Sequence, residues 1–116
     1  MRFNDQNIVV TGGNSGIGRA AAKAFATQGA KVSILGRDDA TVAQTMQDLQ
    51  VWGRSGDVTD RPGVTRFMAD VAAQNGPIDV LFANAGVAEF APFQDHDPAH
   101  FQRMMDVNFH GAVNTI

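Results

Sequence analysis

The chain has 116 residues, a net charge of −3 at pH 7, 44% hydrophobic and 18% charged residues, and no cysteine. One core fits this length and two hardly do. Interspersed charges without a basic run exclude a nucleic-acid surface, short apolar stretches exclude a membrane span, and missing cysteines exclude disulfides and thiolate metal sites.

The apolar run Ile8–Val10 reads as the first strand, followed by Thr11-Gly12-Gly13-Asn14-Ser15-Gly16-Ile17-Gly18 and an alanine-rich helical pattern over Arg19–Gln28 that Gly29 stops. A strand that ends in glycines before a helix predicts a dinucleotide-binding turn. The backbone approaches a pyrophosphate closely, and the helix N-terminus presents free N–H groups and a positive dipole end. In that reading Gly12 permits the turn, Gly16 removes a Cβ that would meet the coenzyme, and Gly18 lets the helix lie close on the sheet.

Val32–Leu35 reads as a second strand, and Ala40–Leu49 as a helix with Val42, Met46 and Leu49 on its core face. A third strand is expected near Gln50–Val58. The next helix is capped by Thr59 or Asp60, buries Val64, Phe67, Met68, Val71 and Ala72, and ends near Asn75-Gly76-Pro77. Ile78–Ala83 forms the fourth strand. Asp97-Pro98 predicts an N-cap with Pro at the first helical position, so His96 and His100 do not share a helix face and no metal site is expected. Phe90 and Phe93, in the stretch 87–93 that follows the fourth strand, either face substrate or pack under the loop.

Unbroken alternation of strand and helix predicts an α/β fold: a Rossmann-type doubly wound parallel sheet in three α/β/α layers, strand order 3-2-1-4. The switch point then lies between strands one and four, which brings the glycine turn and Asn84-Ala85-Gly86 to one crevice.

The spacing T-G-x-x-x-G-I-G resembles the nucleotide loop of the short-chain dehydrogenase/reductase family, and Asp57-Val58, Asn84-Ala85-Gly86 and Asp106-Val107-Asn108 match that family in order. The resemblance implies an NAD(P)-dependent oxidoreductase acting on a small carbonyl or alcohol. It assigns the coenzyme to Gly12, Asn14, Ser15, Gly16, Ile17, Gly18, Arg37, Asp57, Val58, Asn84, Ala85 and Gly86, and one catalytic role, a water held at a locally opened helix, to Asn108. By the same analogy the residue that selects NAD stands at position 36. Gly36 there removes a hydroxyl acceptor and a repulsion, and Arg37 offers a forked cation to a 2′-phosphate, so NADP is the preferred coenzyme with NAD possible. A solvated Arg37 paired with Asp38 or Asp39 is the alternative. Asp57 is read on the adenine amino group, with a turn or helix cap as its competing role, and Asn84 as both a strand tie and a ribose contact.

The family's proton chemistry uses a downstream serine and a Tyr-x-x-x-Lys helix. This sequence has no tyrosine, and Ser15, Ser33 and Ser55 all lie too early for the serine. The expectation is therefore a single NAD(P)-binding Rossmann domain over residues 1–116, cut short at its C-terminal end, from a cytoplasmic enzyme that forms dimers or tetramers. The rival is a non-catalytic nucleotide-binding or assembly module.

Overall fold

The computed structural model describes residues 1–87, 92–95 and 97–116. The elements run β1 (Asn7–Thr11), α1 (Gly16–Thr27), β2 (Lys31–Gly36), α2 (Asp39–Leu49), β3 (Trp52–Ser55), α3 (Arg61–Asn75) and β4 (Val80–Ala83). A short turn at Phe93–Asp95 leads to α4 (Pro98–Met105), a π-helical segment (Asp106–Gly111) and α5 (Ala112–Thr115).

The four strands form one parallel sheet in the order β3-β2-β1-β4, as the alternation predicts. Ile8 pairs with Val32 on one side and Val80 on the other, and Val10 with Ile34 and Phe82. β1 is buried along its whole length. Its alternating side chains feed two cores, which makes the three layers. Ile8, Val10, Ile34, Ala22 and Val42 meet on the face of α1 and α2, while Val9, Leu35, Val64, Phe67, Val71 and Val107 meet on the face of α3 and the π segment.

Strand limits differ most at β3, which is shorter than the expected Gln50–Val58. Gln50 takes a left-handed conformation (φ 55°) to close α2, and at the other end the chain leaves the sheet at Gly56 to turn through Asp57. β3 is an edge. The Trp52 ring stacks on Phe67 at 5.6 Å, and Arg54 lies over Trp52 while pairing with Asp70 at 2.6 Å, so a charged pair covers this edge. β4 is half-buried to exposed and begins two residues later than expected. Asp60 caps α3 by accepting from the Gly63 N–H, which settles the choice between Thr59 and Asp60.

The two ends of the β1–β4 pair are tied by side chains. At the start, Asn7 Nδ2 donates to the Gly76 carbonyl and Asp79 Oδ2 accepts from the Asn7 N–H, both at 2.8 Å. At the far end, the Thr11 hydroxyl accepts from the Asn84 N–H (3.0 Å) and the Ala85 N–H (3.1 Å).

Candidate coenzyme site

A cleft of about 190 Å³ opens at the carboxyl ends of the strands, between the turn after β1 and the segment after β4. Gly12, Asn14, Ser15, Arg37, Val58, Ala85 and Gly86 line it, together with Gly36, Val87 and Val107. Seven residues singled out in the sequence therefore share one wall or another of the same space.

The floor is built by close approach. Gly12 adopts φ +66°, and a Cβ there would stand 3.0 Å from Asn84 Nδ2. Gly18 is buried, and a Cβ on it would collide with the Gly12 carbonyl oxygen and approach Asn84 Nδ2 to 2.6 Å. The Asn84 side chain thus lies close against both glycines. Gly16 (φ +54°) faces open space, with nothing within 4 Å of a Cβ, and Ile17 beside it is 75% exposed at the rim.

Electrostatics favour an anion over this floor. Asp38, Asp60 and Asp97 each cap their helix through a side-chain carboxylate, whereas Ser15, the N-cap of α1, makes no side-chain cap hydrogen bond, and no acidic residue stands in the first turn of α1. The first N–H groups of a twelve-residue helix therefore point out of the turn with their dipole end unopposed.

Arg37 and Asp57 face each other beyond the ends of β2 and β3, with Arg37 Nε 3.8 Å from Asp57 Oδ2. This corrects the alternative in which Arg37 pairs with Asp38 or Asp39, since Asp38 instead accepts from the Thr41 N–H at the start of α2. The guanidinium is 62% exposed and too distant from the carboxylate for a hydrogen bond, so its donors remain available. Asp57 carries its turn role in full: Oδ1 accepts from both the backbone N–H and the hydroxyl of Thr59, at 2.9 and 2.8 Å. Thr59 serves that turn rather than a helix cap.

Burial raises the Asp57 pKa, but the two Thr59 hydrogen bonds and the Arg37 charge together outweigh it and hold the carboxyl below its ordinary 3.8. Asp38 is lowered by its Thr41 hydrogen bonds, and Asp97 chiefly by the His100 backbone N–H. A carboxylate whose folded-state pKa is depressed stabilises the fold above its unfolded value, and that stability is lost as pH falls through the folded one. Acid denaturation should accordingly steepen below 3.8, and Asp57→Asn should flatten this part of the curve in a circular-dichroism titration. An unchanged curve would contradict it.

Asn108 sits in the π-helical segment, so the opened helix expected around it is present. Its side chain is engaged with the far wall. Oδ1 accepts from the Val87 N–H and Nδ2 donates to the Val87 carbonyl, both at 2.8 Å. Six residues on, Asn114 Nδ2 donates to the Val58 carbonyl at 2.9 Å. These two amides clamp the α4–α5 rod to the segments that follow β4 and β3. Sequence reading did not find Asn114 or Val87 in this role, because the pairings join residues 56 and 21 positions apart.

A family model described as short chain dehydrogenase matches residues 6–116. The chain belongs to the short-chain dehydrogenase family. It is 38% identical over 117 residues to "Probable oxidoreductase EphD" of Mycobacterium tuberculosis, with 97% of this chain and 20% of that protein covered. It is 41% identical over 119 residues to cis-4-hydroxycyclohexanecarboxylate dehydrogenase of Sinomonas cyclohexanicum, covering 96% of this chain and 47% of that one. A crystal structure of a short chain dehydrogenase from Bacillus anthracis shares the fold with TM-score 0.91 at 23% identity, over 96% of this chain and 48% of the other. The chain spans between a fifth and about half the length of these relatives.

As a short-chain dehydrogenase it implies a nicotinamide coenzyme, NAD or NADP. The residues present fit one: the uncapped start of α1 offers N–H donors and a positive dipole end to an anion, and Ser15 and the Arg37 cation line the same cleft. Among the described residues no group of three or more His or acidic side chains could hold a metal ion. His96 and Phe90 lie outside the described residues, as does the side chain of Phe93. No helix among the described residues is long and apolar enough to cross a membrane.

Proposed function

We propose that this chain provides the coenzyme-binding part of an NADP(H)-dependent oxidoreductase that exchanges a hydride with a small carbonyl or alcohol substrate in the cytoplasm. The convergence of the glycine turn, the uncapped start of α1 and Ala85-Gly86 on one cleft carries this reading. The nicotinamide, when bound, supplies the hydride chemistry. The chain's own residues bind and orient it. Gly12, Asn14, Ser15, Gly16, Ile17 and Gly18 form the pyrophosphate cradle, Asp57 and Val58 bound the adenine, and Asn84, Ala85 and Gly86 border the nicotinamide ribose. Asn108 holds the π segment against Val87, and the backbone opened there offers a seat for a proton-relaying water.

The 116 residues contain no tyrosine, so the family's general acid/base is not among them, and turnover is proposed of the whole protein. Titrating the intact protein with NADPH and NADH and then assaying turnover on a panel of carbonyls and alcohols tests the reading. Binding with turnover supports it. Binding without turnover would favour the non-catalytic module, and binding of neither dinucleotide would overturn both.

NADP is the preferred coenzyme in this proposal, with NAD as the alternative. Arg37 carries the preference, because its donors are not consumed by Asp57 and no carboxylate stands at Gly36. Arg37→Ala should lower the NADPH-to-NADH affinity ratio roughly tenfold, about one bidentate charge-assisted contact. An unchanged ratio would remove Arg37 from the site.

Homo-oligomers are part of the same reading. Phe101, Met105, Phe109 and Val113 recur every fourth residue along the rod that bears Asn108 and are 41%, 50%, 54% and 52% exposed. A run of large apolar groups on one face suits a two-fold contact with a second copy. Phe109→Asp with Val113→Asp should shift the intact protein to a smaller species by light scattering, and an unaltered mass would exclude this face.

A further inference from the structure

The end of β2 has an occupant that the sequence does not announce. Gly36 is buried, and a Cβ built on it would overlap Oδ1 and Cγ of Asn14, with Nδ2 at 2.9 Å. The Asn14 carboxamide reaches there from the glycine turn and donates from Nδ2 to Thr41 Oγ1 at 2.7 Å, on the first turn of α2. Thr41 is itself held by Asp38, which accepts from its N–H at 2.9 Å. The amide thus bridges the turn after β1 to the start of α2, directly over the one position where a side chain would select between coenzymes.

Gly36 does not have a positive φ, so its backbone admits any residue. What obstructs position 36 is the Asn14 side chain. An aspartate introduced there would have to expel the carboxamide and break its bond to Thr41 before it could reach a ribose hydroxyl. We propose that Asn14 is a positioning residue for coenzyme choice: its amide occupies the seat of a residue-36 side chain, so positions 14 and 36 set the preference jointly. This rests on the dinucleotide reading of the cleft.

The consequence is non-additivity. Asn14→Ala removes all three atoms that a Cβ at position 36 would meet first. Gly36→Asp alone should lower thermal stability and weaken both coenzymes, because the displaced amide disturbs the turn that cradles the pyrophosphate. In the Asn14→Ala background the same aspartate should fit. Stability should recover towards that of Asn14→Ala, and NADH should bind more tightly than NADPH by about tenfold or more, since the carboxylate accepts from a hydroxyl and repels a phosphate.

The experiment is a double-mutant cycle on the intact protein with melting temperature and fluorescence-titrated dissociation constants for NADPH and NADH as separate readouts. A merely structural role for Asn14 would change the melting temperatures and leave the ratio of the two constants alone. Coupling in both readouts is the expected result. Gly36→Asp reversing the ratio equally well with Asn14 present, or additive effects on stability, would overturn the inference while leaving the coenzyme reading intact. Failure of the unaltered protein to bind either dinucleotide would overturn both together.

Discussion

Replacing Gly18 with alanine should cost about 3 kcal/mol of stability, the upper part of the range for overpacking, and weaken dinucleotide binding on the order of a hundredfold. The obstruction is a backbone atom. A Cβ at position 18 lands on the Gly12 carbonyl oxygen, and the second neighbour, Asn84 Nδ2, is wedged between the two glycines. The backbone neighbour cannot yield freely: Gly12 sits at φ +66° and its N–H donates to the Leu35 carbonyl at 2.7 Å. The methyl group must therefore lift α1 or distort the turn. Gly16→Ala separates space from conformation, since nothing lies within 4 Å of its Cβ and only the positive φ (+54°) is penalised, by about 1 kcal/mol. Urea denaturation and NADPH titration of both variants check this. Equal losses of stability would show that close approach at Gly18 is not the cause.

The legible part of this protein is the part written in local rules. Alternating strand and helix patterns give the 3-2-1-4 sheet because right-handed crossovers leave few other arrangements, and the Asp97-Pro98 cap appears where a short-range rule puts it. Asp60 and Thr59 mark the limit of such rules. Both are good caps, and only the Asx turn at Asp57, which takes the Thr59 hydroxyl, decides between them. Arg37 illustrates the same limit over a longer span. Its neighbours in sequence are two aspartates, yet it faces Asp57, because β2 and β3 end side by side and Asp38 is already committed to α2. The Asn14 amide over Gly36 was invisible for a related reason: a glycine advertises an empty place, not what fills it.

The clamps share a logic that bears on the cleft's rigidity. Val87 and Val58 both line the cleft, and Asn108 and Asn114 of one rod bind the backbone of each. The π segment between α4 and α5 adds a residue to one turn, which alters how the two amides are phased around the rod. Gly111 lets that rod approach, since a Cβ there would stand 2.5 Å from Val58 Cγ2. Among the described residues, backbone–amide bonds thus tie both Val87 and Val58 to the same rod.

Thr11→Val should destabilise the fold by about 2–4 kcal/mol, although the two side chains have nearly the same shape. β1 turns away at Gly12, whose N–H goes to β2, so beyond Ala83 the last strand has lost its neighbour. Two consecutive N–H groups, of Asn84 and Ala85, would then be without strand partners at the switch point. The Thr11 hydroxyl accepts from both, and the side chain is 1% exposed. Valine leaves both donors unsatisfied, at roughly 1–3 kcal/mol each, partly relieved by water entering from the cleft. Thr11→Ser retains the acceptor and removes only a methyl group, at about 1 kcal/mol. The contrast isolates the hydrogen bonds from packing. It also separates support from binding: because Ala85 lines the cleft, dinucleotide affinity should fall with Thr11→Val and hold with Thr11→Ser. Equal denaturation midpoints for the two variants would mean that the hydroxyl does not tie β1 to β4.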